Sequence, residues 1–133
     1  MHKVLIINGS PRENGNTSVA VSEVAKTLRN DGIEPLVVRI GSDNIRGCIA
    51  CGYCLKNGKC VFNDKVNELS KIFEEVDGLI VASPVYYASA NATLIATLDR
   101  LFYSSHFDMR FKVGASIAVA RRGGGGVFFF FFF

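Results

Sequence analysis

The chain has 133 residues, of which 49% are hydrophobic and 20% charged, with a formal net charge of +3. That length suits one compact domain, and that composition excludes a disordered chain. The mild charge, without a long basic run, gives no sign of a nucleic-acid partner, and the run Phe128–Phe133 falls far short of the ~20 apolar residues that span a bilayer, so no membrane partner is expected.

In chain order, "KVLIING" (Lys3–Gly9) is the first expected strand. Its short apolar run meets a polar loop at once, which argues against a signal peptide. The loop "GSPRENGNTS" opens a helix in which Ala20, Val21, Val24, Ala25 and Leu28 recur at helical spacing, and "NDG" at Asn30–Gly32 supplies a stop. A second strand, Glu34–Ile40, leads into a Cys-rich insert over residues 47–60. Val66, Leu69, Ile72, Phe73 and Val76 then form a second apolar stripe, followed by a strand over Gly78–Pro84. Leu94, Ile95, Leu98, Leu101 and Phe102 form a third stripe, and Val113–Ala120 reads as a last strand. The strands are apolar almost throughout, which suits a parallel sheet covered on both faces. Alternating strands and helices imply an α/β fold, a doubly wound parallel sheet in three α/β/α layers. Ligands in such sheets sit beyond the carboxyl ends of the strands, at the switch point.

The first loop has the chemistry of a phosphate cradle. Gly9 permits a tight turn, a helix N-terminus offers unpaired backbone N–H groups, and Ser10, Asn16, Thr17 and Ser18 add donors. Arg12 can close over the anion. The nucleotide-triphosphate and dinucleotide glycine fingerprints are both absent. The alternative is an ordinary strand-to-helix turn capped by Asn16 or Thr17. In "SPVYYASAN", Pro84 ends a ladder, Tyr86 and Tyr87 present flat faces suited to a planar ligand, and Ser89 or Asn91 can cap the next helix. The alternative there is that both tyrosines pack against the helix. Gly123 to Gly126 expose backbone N–H groups without obstruction. His2 and His106 have no evident partner and are given no role.

Three of these stretches together resemble one family. "NGSPRENGNTS" follows the G-S-x-R-x-x-[SG]-x-[ST] loop of the flavodoxin-like NADPH-dependent FMN reductases. "SPVYYASANATLIATLDR" is similar to that family's second signature and "ARRGGG" to its third loop. The resemblance implies FMN as cofactor, with its phosphate at Ser10, Arg12, Asn16, Thr17 and Ser18. Its ring would lie along Pro84, Val85, Tyr86 and Tyr87, bordered by Gly123, Gly124 and Gly125. It also implies NAD(P)H as electron donor and flavin-borne chemistry that needs no catalytic side chain. Arg121 and Arg122 would stabilise the anionic reduced ring or a nicotinamide cofactor's phosphate, or form a solvated strand end.

Cys48, Cys51, Cys54 and Cys60 make C-x2-C-x2-C-x5-C. Four clustered cysteines without a secretory signal point to a reducing, cytoplasmic setting and to metal or redox chemistry. Such compact runs are typical of iron–sulfur ligation; free thiols and, third, structural zinc are the alternatives. The spacing resembles that of the iron–sulfur flavoproteins, a branch of the same superfamily, which implies a 4Fe-4S cluster on these four residues. The expected function is therefore an FMN-dependent oxidoreductase delivering electrons to flavin, a quinone or another small acceptor. The alternative is an electron-transfer protein with a ferredoxin-like partner.

The expected organisation is one flavodoxin-like domain over residues 1–126 with sheet order 2-1-3-4, the family's fifth strand missing. Residues 127–133 read as a non-native low-complexity tail. A homodimer or tetramer is expected through the helix "TLIATLDRLFYSS", with Asp99–Arg100 at the edge of the contact face.

Overall fold

The computed structural model describes residues 1–126; the tail over 127–133 lies outside them. In chain order the elements are β1 (Lys3–Asn8), α1 (Asn16–Asn30), β2 (Glu34–Arg39), α2 (Tyr53–Asn57), α3 (Lys65–Glu75), β3 (Gly78–Tyr86), β4 (Ser89–Ala90), α4 (Ala92–Ser104) and β5 (Val113–Val119). β1 pairs in parallel with β2 and β3, and β3 pairs in parallel with β5, so the main sheet runs β2-β1-β3-β5. This is the doubly wound order expected from the alternation. β3 turns back after Tyr86 to pair antiparallel with β4.

Alternate residues of the central strands feed two cores. Leu5, Ile7, Leu79 and Val81 join Leu69 and Phe73 of α3 and Leu94, Leu98 and Leu101 of α4. Ile6 and Ala82 face Val21 and Ala25 of α1 on the other side. Leu5, Ile6 and Ile7 are all fully buried, as an apolar run covered on both faces requires.

Helix ends follow local chemistry. α1 stops in a Schellman arrangement: Gly32 sits at φ +75°, its N–H donates to the Arg29 carbonyl, and the Ile33 N–H donates to the Leu28 carbonyl. The Asp64 carboxylate caps α3 by accepting the Val66 N–H at 3.1 Å.

Two elements depart from the sequence pattern. α2 is a single short helix set between Gly52 (φ +71°) and Gly58 (φ +66°), both left-handed. β3 continues through Pro84, which was expected to end it. β1 pairing stops at Ala82, so β3 has a free edge there that tolerates a residue without an N–H, while the β5 register continues to Pro84 and Val119.

Candidate functional site

The carboxyl ends of β1, β3 and β5 open on one side of the sheet, and the loop after β1 is braced from several directions. The Asn8 side chain accepts the Ser10 N–H at 2.9 Å and donates to Ser18 Oγ at 3.0 Å. Ser18 Oγ in turn donates to the Arg12 carbonyl at 3.3 Å, and the Arg12 N–H donates to Ser10 Oγ at 3.2 Å. Ser18 therefore supports the loop from behind. Gly41 passes so close that a Cβ there would lie 2.0 Å from the Ser10 carbonyl carbon. The α1 N-cap is Gly15, which makes no side-chain cap, so neither Asn16 nor Thr17 plays the ordinary capping role. The first-turn N–H groups are thus left without a side-chain cap.

Beside this loop is a cavity of about 670 Å³. Ser10, Arg12, Asn16 and Thr17 form one wall, Pro84, Val85 and Tyr86 a second, and Val119, Ala120 and Arg121 a third. A buried clamp holds the first two walls together. Asn91 donates through Nδ2 to the Gly9 carbonyl, accepts the Leu94 N–H at 3.3 Å as the α4 cap, and donates its own backbone N–H to Ser83 Oγ at 2.9 Å. Asn91 was expected only as a cap; Asn8 and Ser83 fell inside the loop motifs without a bracing role of their own, and Gly41 carried no expectation.

Tyr87 and the glycine run are not among the residues that line this cavity. Tyr87 and Ala88 form the two-residue turn between β3 and β4, with φ of 48° and 60°, the left-handed pair of a type I′ hairpin. Tyr87 is fully exposed there and is not among the cavity walls, whereas Tyr86 is half-exposed and is. Gly124, at φ +89°, packs on that turn: a Cβ would lie 3.2 Å from Ala88 Cα. Gly123 and Gly125 do not line the cavity, and Arg121 is the cation that does so from this loop.

The four cysteines line a second cavity, of about 320 Å³, with Phe62, Arg100 and Tyr103 among its other walls. All are free thiols: Cys48 and Cys51 are exposed, Cys54 and Cys60 half-buried. Among the described residues no three such side chains converge closely enough to hold a single metal ion. Arg100, expected at the edge of a contact face, is instead 1% exposed. Its guanidinium forms a forked pair with Asp64 at 2.8 Å on both arms, and its Nε donates to Cys60 Sγ at 3.3 Å. Burial opposes the charge, yet Asp64 and Cys60 outweigh it and raise the Arg100 pKa.

Residues 2–128 match the sequence profile of the NADPH-dependent FMN reductases. The chain belongs to that family. An iron-sulfur flavoprotein of Archaeoglobus fulgidus is 41% identical over 118 residues, covering 88% of this chain and 54% of the relative. One from Methanocaldococcus jannaschii is 38% identical over 118 residues, covering 88% of this chain and 61% of the relative. This FMN reductase homologue thus spans a little over half the length of these relatives. Among solved structures, apo NADH:FMN oxidoreductase (EMOB) superposes with a TM-score of 0.64 at 26% identity, covering 90% of this chain and 59% of that one. Among the described residues, no helix is long and apolar enough to cross a membrane.

Proposed function

We propose that this chain is the flavin-binding portion of an FMN-dependent oxidoreductase, fed by NAD(P)H and delivering electrons to flavin, a quinone or another small acceptor. The supporting observation is the cavity of about 670 Å³ at the switch point, within the ~300–1,000 Å³ typical of cofactor sites. Its residues fit FMN. The first-turn N–H groups of α1, which Gly15 leaves without a side-chain cap, offer fixed donors to the phosphate. Arg12 supplies an exposed cation, and Ser10, Asn16 and Thr17 supply hydroxyl and amide donors. Val85 and Tyr86 shelter one side of a planar ring, and Arg121 places positive charge across the cavity from Arg12's loop. Bound there, FMN would supply hydride acceptance and one-electron release; the protein orients it and tunes its charge. Visible absorbance under anaerobic NADPH tests the reading: bleaching of flavin bands supports it, and a chain that takes up no flavin overturns it.

The cysteine cavity favours a second reading, an iron–sulfur flavoprotein exchanging single electrons with a ferredoxin-like partner. The donor set fits a cluster, since four free thiols border one cavity. The compact C-x2-C-x2-C spacing suits a 4Fe-4S core better than tetrahedral zinc, which more often joins two separated knuckles. Such a cluster would supply one-electron transfer beside the flavin site. Broad iron–sulfur absorbance without direct NADPH bleaching would favour this reading over the first. We also propose self-association through α4, where Phe102 and Tyr103 are 45% and 69% exposed.

A further inference from the structure

Cys60 is held unlike the other three cysteines. Its backbone is gripped by the buried Asn67, whose side chain accepts the Cys60 N–H at 2.9 Å and donates to the Cys60 carbonyl at 3.1 Å. Its sulfur receives the Arg100 Nε–H at 3.3 Å. A guanidinium has five N–H donors in a fixed plane, and each has an acceptor here. Besides Cys60 Sγ these are the two Asp64 oxygens, at 2.8 Å each, the Arg46 carbonyl at 3.1 Å and the Phe62 carbonyl at 3.4 Å. The Phe62 ring lies 5.2 Å beneath the plane. Asp64 is itself fixed by capping α3. Four bonds therefore aim the fifth at one sulfur.

We propose that Arg100 is a positioning residue for Cys60, one that orients its sulfur toward the iron–sulfur core and raises that core's midpoint potential. This rests on the cluster reading above. One-electron reduction adds one negative charge to the core and takes up no proton. An N–H donor on a ligand sulfur favours the more negative state, so it shifts the potential upward. Among the described residues Cys48 has only the neighbouring Ala50 backbone N–H, at 3.4 Å, so Cys60 is the ligand through which a buried side chain acts.

The test uses the full chain, reconstituted anaerobically with iron and sulfide and titrated with dithionite while the reduced signal is followed by electron paramagnetic resonance. Arg100→Met combined with Asp64→Asn removes one charge of each sign and leaves Asn, a good cap, at the start of α3. The net charge is unchanged, so a shift reports the lost N–H···S bond. The expected result is wild-type circular dichroism with a midpoint lower by at least the 59 mV of a tenfold change in a one-electron equilibrium. Loss of the core from a chain that keeps its fold also supports the positioning role. An unchanged midpoint overturns it. Should the double variant not fold, Arg100→Lys decides: it keeps the charge and lacks the fork, so the midpoint must still fall, and a wild-type value refutes the role. A wild-type chain that binds no iron overturns the cluster reading, and this inference with it.

Discussion

At the scale of single residues, the proposed flavin cavity depends on groups of two kinds. Arg12 faces the cavity, and on the proposed reading its loss removes a charge-assisted contact to the FMN phosphate worth about 1.5–3 kcal/mol. Arg12→Ala is expected to weaken FMN binding by about 10- to 100-fold with little change in melting, measured by flavin fluorescence quenching. Gly41 never touches the cavity, yet any side chain there meets the Ser10 backbone. Gly41→Ala is expected to lower stability by about 1–3 kcal/mol in urea denaturation, and to weaken FMN binding by displacing the loop. Asn91→Ala removes the α4 cap and leaves the Gly9 carbonyl unpaired; about 1–3 kcal/mol should be lost in the same measurement. That Ser10, Arg12, Asn16 and Thr17 share one wall of a cavity was legible because the loop motif is local. Arg100 was not, since its carboxylate partner lies 36 residues away and nothing in the spacing of α4 marks it.

At the scale of elements, α1, α3 and α4 declared themselves through apolar spacing, and β1, β2, β3 and β5 through short apolar runs. α2 and β4 did not, because neither has a period to read. α2 exists because two left-handed glycines bound it, and β4 because Tyr87 and Ala88 turn without the glycine or asparagine that usually signals such a hairpin. The starts of the strands are stapled by Asp77. Its carboxylate accepts the Lys3 N–H at 2.8 Å, and its backbone bonds Lys3 and Val113. The Lys3 N–H, more than the nearby His2, holds the Asp77 carboxyl below its ordinary range. A depressed folded pKa means the unfolded chain binds the proton more readily. Stability from this group is therefore full above the ordinary carboxylate range and lost as pH falls through the folded value. Asp77→Asn should flatten that acid limb in melting curves recorded from neutral to acid pH; an unaltered limb would remove Asp77 from the account.

At the scale of the whole molecule, α4 joins the two cavities. Asn91 at its start grips the loop after β1, and Arg100 later in the helix grips Cys60. Nine residues of helix separate them by about 14 Å along the axis, so a rigid rod sets the spacing of the two proposed redox sites. Phe102 and Tyr103 of the same helix are exposed, and the self-association proposed for that face should appear in sedimentation as a species heavier than one chain. The central claim is that the first turn of α1 receives the phosphate of FMN. Isothermal calorimetry with FMN and with riboflavin measures this most directly. Saturable binding of FMN at one site per chain, much weaker for riboflavin and diminished in Arg12→Ala, is the expected result. Equal affinity for the two flavins, or no heat with either, would contradict it.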